Sequence, residues 1–316
     1  MNTSSSPSSP SALFAASQAF QLMKRVLFKP FNATRWFGMG FCAWLCTLGT
    51  GGGGGGCNYT SNTGNNSFQG LNPEIKSFFQ KIFSDSALLS IVIAGVVVVL
   101  LIILAFSVLF CWLRSRGDFM FLQRAYTPDE PIGACWNRAA YSSRSLFYLR
   151  LGYMAAGWAI LIVLLVPAWF YFLQPLFKSG FGFSALFPQF IILCAAGMAL
   201  GLAWRVLTAF TYDFVVPIMY WNNMPALRAW REVLALCAQH PLSVFVYFIL
   251  MHVWILLFLL AILLIALCTC CIGFIVLIIP YIGTVAMLPM YLFDRAYSVY
   301  FLAQCRPDLV PAPNPT

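Results

Sequence analysis

The sequence predicts an all-α fold: a polytopic bundle of six transmembrane helices with amphipathic elbow helices lying in the interface. Three observations predict it. The run Ala87 to Leu113 carries no charged residue and ends at Arg114-Ser115-Arg116. About 20 apolar residues cross a hydrocarbon core about 30 Å thick, so this run is a span with a cytoplasmic stop. The whole chain is 61% hydrophobic and 9% charged, with a mean hydropathy of +0.83. A soluble fold of that composition would lack the polar surface to cover itself. The cations, finally, are distributed unequally between alternate loops.

Six apolar runs give spans of about 31–50, 87–113, 145–173, 187–212, 242–267 and 273–293. The first is the shortest, because its uncharged part, Trp36 to Thr50, reaches only about 22 Å as a helix, and Arg35 stands at its edge. Charge placement decides whether it crosses. With six crossings, fifteen of the 18 Lys and Arg fall on one side, leaving Lys76, Lys81 and Lys178 opposite. Without the first crossing the split weakens to eleven against seven. The positive-inside rule therefore favours six spans with both termini cytoplasmic. Residues 1–10 lack the basic start and apolar stretch of a secretory signal and are expected to form a disordered cytoplasmic tail, as are residues 306–316. Residues 11–305 form one membrane domain.

The net charge of +9 then reads as topology and as contact with anionic lipid head groups on the cytoplasmic side. Nucleic acid is not an expected partner, because the cations are dispersed beside spans. The bilayer itself is the expected partner, along with an unknown membrane protein.

An internal repeat organises the cytoplasmic side. Asp118-Phe119, Trp136 and Ser145-Leu146-Phe147 precede the third span; Asp213-Phe214, Trp230 and Ser243-Val244-Phe245 precede the fifth, at offsets of 95, 94 and 98 residues. The copies run in the same direction, so a symmetry axis relating them would lie along the membrane normal. In the second copy Pro225 suits a first helical position, and Leu227, Trp230, Val233, Leu234 and Cys237 share one side of a helix that His240-Pro241 ends. Near the N-terminus Leu13, Ala16, Phe20, Met23 and Leu27 recur at helical spacing. Three interfacial helices follow, each leading into an outward-going span. The competing reading is that they are ordinary amphipathic connectors.

On the outer face, residues 50–72 are a Gly/Asn-rich linker containing Gly51 to Gly56, without the Lys-Ser/Thr pair of a phosphate-binding loop. Asn58-Tyr59-Thr60 and Asn65-Asn66-Ser67 match glycosylation acceptors. Ile75, Phe78, Phe79, Ile82 and Phe83 then mark an outer interfacial helix. Of the 11 cysteines most fall inside spans, where cysteine behaves as a small apolar residue. Cys268, Cys270 and Cys271 cluster at an outer turn with no histidine or carboxylate beside them, so a metal site is not expected; a disulfide, for instance to Cys57, stays open.

Ionisable groups at membrane depth are the best functional pointers. His252 lies halfway along the fifth span, where the bland reading is a neutral ring hydrogen-bonded to a neighbouring helix. Arg205 and Asp213 stand eight residues apart, about 12 Å along a straight helix, too far to pair with each other directly. Pro217, Pro280 and Pro289 are candidate helix breaks in the fourth and last spans. Asp118, Asp213 and Asp294 stand at cytoplasmic span ends, where surface pairing with adjacent arginines, Asp118 with Arg116 and Asp294 with Arg295, would contribute about 0 to 1 kcal/mol each. No nucleophile with a base, aspartate pair or metal motif emerges within the spans, so neither an enzyme nor a cofactor is expected.

The segments Asp213–Tyr220, Ala229–Glu232, His240-Pro241, Pro280–Thr284, Phe293–Tyr297 and Phe301–Gln304 resemble an uncharacterised family of bacterial six-span integral membrane proteins, over about Phe20 to Gln304. More distantly, the alternation of elbows and spans is similar to the membrane domain that accompanies some glycerophosphodiester phosphodiesterases, whose catalytic domain has no counterpart here. The resemblance implies a bacterial inner membrane and no established reaction. The expected function is a non-catalytic membrane scaffold or lipid- and partner-interacting protein; the alternative is a small-solute or lipid transporter built on the parallel repeat.

Overall fold

The computed structural model describes residues 10–29, 31–48, 86–168, 183–269, 273, 277 and 279–311. Every regular element is helical: α1 (Ala12–Phe28), α2 (Ala33–Thr47), α3 (Ser86–Tyr126), α4 (Ile132–Ala168), α5 (Phe183–Phe210), a π turn (Thr211–Val215), α6 (Val216–Asn222), α7 (Ala226–Gln239), α8 (Pro241–Cys268), α9 (Pro280–Ala286) and α10 (Leu288–Cys305). The glycine-rich linker, both glycosylation patterns, the outer helix expected over Ile75–Phe83, and Cys57, Cys270 and Cys271 lie outside the described residues. Cys268 is exposed and its thiol is free.

Among the described residues, four stretches are long and apolar enough to cross a membrane: Ser90–Tyr126, Ile132–Leu164, Ile191–Asn222 and Pro241–Cys268. They correspond to the second to fifth expected spans. The first run appears as the 15-residue α2 and the last as α9 and α10, broken at Met287, so the described helices supply four long spans rather than six.

The packed core lies at one end of these helices. Its residues come from α2, the C-terminal third of α3, the first half of α4, the π turn and α6, α7, the first turns of α8, and above all α1 and α10. The apolar flanks of α3 and α8 further along stay open, as at Ile91, Leu101, Leu256 and Ile265. Lipid is the solvent such surfaces need. α3, at 41 residues, is about 60 Å long, and only its C-terminal stretch, Gly117 to Ala125, is buried throughout.

Two sequence expectations change at this level. The first repeat copy does not form a separate interfacial helix. After a short turn at Thr127–Glu130, α4 starts at Ile132 and runs unbroken through Trp136 and Ser145 into the membrane. In the second copy α7 and α8 are separate, divided at His240. The amphipathic faces also differ from the expected stripes. α1 buries its small side, Ala12, Ala15, Ala16 and Ala19, with Met23 and Leu27, and leaves Leu13 and Phe20 outward. α7 likewise buries Ala226, Ala229, Val233 and Leu236 and turns Leu227 and Leu234 out, with Pro225 as its N-cap residue. Alanine lets helix axes approach closely, so the alanine face wins the protein contact and the bulky face is left for another solvent.

α1 lies along α10, where the Ser11 amide donates to Gln304 Oε1 at 2.9 Å. α10 descends antiparallel to α8: Phe293 meets Trp254 and Phe258, and Tyr297 and Phe301 meet Tyr247. α2 runs antiparallel to α3, with Gly38 beside Arg124 and Leu45 against Gly117. A β-carbon on Gly117 would come within 2.8 Å of the Leu45 carbonyl carbon, so glycine is what allows the two backbones to touch.

Candidate functional site: a buried charge network and its cavity

Several charged residues at the packed end of the long helices are buried, and one acid there pairs across helices. Asp118 is fully buried in α3, and its Oδ2 accepts from Arg150 Nη2 of α4; Arg150 Nη1 lies 3.4 Å from Ser115 Oγ. The expected surface pair with Arg116 is therefore corrected. Arg116 instead places its guanidinium 4.7 Å from the Trp112 ring and 4.6 Å from the Trp136 ring. Trp136 is the repeat tryptophan, and its counterpart Trp230 stacks on Phe210 at 6.4 Å. In both copies an elbow tryptophan packs on an aromatic ring of the preceding span.

The acids of the two copies part company one step further. The offset that relates Ser145 to Ser243 carries Arg150 onto Phe248, so Asp213 meets no guanidinium from the helix that supplies one to Asp118. Asp213 is 1% exposed and both its carboxylate oxygens are buried without a hydrogen-bond partner among the described residues. The Tyr247 hydroxyl is near enough to interact but outside hydrogen-bond geometry. Its charged neighbours are Asp294, Arg295 and Arg205, and Asp294 in turn feels Arg295, His252 and Arg205. The three ionisable candidates read from the sequence thus belong to one electrostatic neighbourhood, with Asp294 and Arg295 added. They do not line one cavity. Arg205 and His252 are exposed on their helices, and the His252 ring is bound by Nδ1 to the Phe248 carbonyl of its own helix at 2.7 Å.

Arg295 is the largest fully buried side chain among the described residues and ties three helices together. Its Nη1 donates to the Tyr212 carbonyl at 2.5 Å, its Nη2 to the Asp118 carbonyl at 3.3 Å, and its guanidinium lies 4.3 Å from the Tyr212 ring. The free carbonyl has a cause in the sequence. In the π turn the Val216 N–H bonds five residues back, to Thr211, and the residue five beyond Tyr212 is Pro217, which has no N–H. Arg295 supplies the missing donor. Pro217 opens α6, Pro280 opens α9 and Pro289 stands in the first turn of α10.

Beside the Asp118–Arg150 pair a cavity of about 340 Å³ opens between α3, α4 and α5. Arg114 and Arg150 line its inner end; Ser107, Tyr153, Thr208 and Thr211 supply hydroxyls; Trp158 and Trp204 wall its membrane side. No carboxylate lines it. The volume lies at the low end of the range of about 300–1,000 Å³ for small-molecule sites. Arg114 and Arg150 entered the sequence reading only as topology markers, and Arg295 also as a surface partner of Asp294. For Arg150 the available signal was an arginine with apolar residues on both sides, in Tyr148–Tyr153.

A family model described as a family of unknown function matches residues 10–305. No curated protein and no solved structure matches the chain.

Proposed function

Because the chain belongs to DUF7544, a family of unknown function, its role is read from its own geometry, and we propose a non-catalytic integral membrane protein that grips the inner leaflet of a bacterial inner membrane and contacts its anionic head groups. The observation that carries this is the outward face of α1 and α7. Leu13, Phe14 and Phe20 on one, and Leu227 and Leu234 on the other, are exposed beside Lys24, Arg228 and Arg231, at the end of the bundle where the core is packed. A bulky apolar stripe flanked by cations fits the boundary between acyl chains and head groups. The acids at the inner ends support the non-catalytic part, since Asp118 is engaged by Arg150, and Asp213 and Asp294 lie among cations.

Six crossings belong to this proposal. The antiparallel pairing of α2 with α3, and of α10 with the first half of α8, supports it. Both termini then face the cytoplasm, where the cations are.

Spin labels at Phe20→Cys and Leu227→Cys in proteoliposomes test the reading through oxygen and nickel accessibility. Both labels should sit at the head-group boundary, and a water-exposed label would overturn it. The second reading, a small-solute or lipid transporter, is favoured by the π turn beside buried Asp213, because broken helices next to intramembrane charge recur in transporters. Saturable flux in the same proteoliposomes, lost on Arg205→Ala or His252→Ala, would establish it against the first.

A further inference from the structure

Resting on the inner-leaflet reading, we infer that the cavity between α3, α4 and α5 is a binding site for a phosphate ester that carries a free hydroxyl on its membrane side, the chemistry of a monoacyl glycerophospholipid or of free glycerol phosphate.

Charge sets the first half of the argument. Two guanidinium groups line the cavity and no carboxylate does. Arg150 is neutralised by Asp118, but Arg114 makes no ion pair or hydrogen bond among the described residues, and its Nε is buried. A half-buried cation whose acidic neighbour, Asp118, already serves Arg150, and which stands next to open space, calls for an anion from outside the protein. Arginine offers paired N–H groups that match phosphate oxygens.

The hydroxyls set the second half. Ser107 Oγ donates to the Ile103 carbonyl at 2.8 Å, Thr211 Oγ1 to the Leu207 carbonyl at 2.8 Å, and Thr208 Oγ1 to the Arg205 carbonyl at 2.9 Å. Each proton is spent on its own helix, so these groups face the cavity as acceptors. They complement a ligand donor and not a second phosphate oxygen. Depth fixes the order. Ser107 precedes Arg114 on the descending α3, about 10 Å toward the membrane centre, and Thr208 lies above Thr211 on α5, which reaches Tyr153 one turn above Arg150. The acceptors therefore lie on the acyl side of the guanidinium pair. In a diacyl lipid that level presents ester oxygens, which are acceptors too; in a monoacyl lipid one glycerol position is a hydroxyl donor. Apolar walls at Phe110, Met154, Trp158 and Trp204 suit the chain that follows.

Native mass spectrometry of the full-length protein released from detergent micelles tests the site. The probes are palmitoyl lysophosphatidylglycerol, dioleoyl phosphatidylglycerol, glycerol 3-phosphate and monopalmitoylglycerol. One equivalent of the lysolipid or of glycerol 3-phosphate should be retained, and which of the two is held tighter identifies the lipid or the soluble source. Arg114→Gln should weaken retention about tenfold or more, as expected for a charge-assisted bond, Thr208→Val should selectively weaken the probes with a free hydroxyl on the glycerol that carries or would carry the acyl chain, and Arg144→Gln, an exposed cation elsewhere, should change nothing. Equal retention of the neutral monoacylglycerol, equal retention of the diacyl lipid, or indifference to Arg114→Gln would each overturn the site. Failure here with spin labels still at the head-group boundary would refute the cavity assignment alone, and failure of both would refute the inner-leaflet reading with it.

Discussion

Replacing Asp118 by Asn removes the charge from the most deeply buried ion pair while keeping the side chain's shape. Asp118 is fully buried and Arg150 is 9% exposed, so the guanidinium would keep only Ser115 Oγ and a neutral amide oxygen. Breaking a buried pair from one side costs about 3–5 kcal/mol. The cavity beside Arg150 admits some solvation, which places the expectation near the lower end, about 3 kcal/mol. At about 2–4 °C per kcal/mol this lowers the unfolding midpoint by roughly 6–12 °C. The buried thiols of Cys42 and Cys46 provide the readout, because a thiol-reactive fluorophore reaches them only on unfolding. Scans have to share one heating rate, since unfolding in detergent is commonly irreversible. The double variant Asp118→Leu with Arg150→Met should return to within about 1 kcal/mol of the native protein or exceed it, because desolvating an ion pair offsets most of its Coulomb gain. The same double variant should lose anion binding, having given up one cavity guanidinium. A midpoint for Asp118→Asn within 2 °C of the native protein, by the same conversion, or a double variant as unstable as the sum of the singles, would refute the reasoning.

Three further outcomes follow from the same contacts. Gly117→Ala should destabilise by about 1–3 kcal/mol through overpacking against the α2 backbone, whereas Gly133→Ala, with no atom within 4 Å, should gain about 0.5–1 kcal/mol; paired thermal scans compare them. Pro217→Ala restores an N–H at the π turn, so the cost of Arg295→Gln should be smaller in that background than in the native one, and additive costs in a double-mutant cycle would contradict the assignment of Arg295 as the replacement donor. Hydrogen bonding from Arg306 holds the Asp308 carboxyl below its ordinary value. A depressed carboxyl contributes stability that is present above the ordinary value of about 4 and is lost as pH falls through the lowered one. Hydrogen-exchange protection at Leu309 and Val310, corrected for intrinsic rates, should therefore drop in acid, and Arg306→Gln should abolish that dependence.

Much of the architecture was legible along the chain, and the reasons differ by element. α3 and α8 announce themselves by long uncharged runs and α5 by an apolar run broken only by Arg205, because a membrane helix has to be apolar on all sides. The repeat was legible in Asp118, Trp136 and Ser145 against Asp213, Trp230 and Ser243, and the tryptophans do occupy matching places. The first elbow is not a separate helix, because nothing in the polar stretch Asn137–Arg144 breaks one and α4 continues through it. The stripes of α1 and α7 were misassigned for a related reason. Hydrophobicity marks which residues avoid water and does not distinguish the alanines that pack against protein from the leucines and phenylalanines that face lipid.

What the sequence determined by itself is the class: helical, with runs long and apolar enough to cross a membrane, and a parallel repeat of elbow residues. Those properties depend on the composition and period of single segments, which the bilayer reads one helix at a time. Only the tertiary structure decided which charges meet. Asp118 takes Arg150 from the next helix, Arg295 reaches Tyr212 from the end of the chain, and Arg114 is left facing a cavity without a counter-ion. Pairing of buried charge is a property of helix packing across large separations in sequence, and no local pattern encodes which arginine will be the one left over.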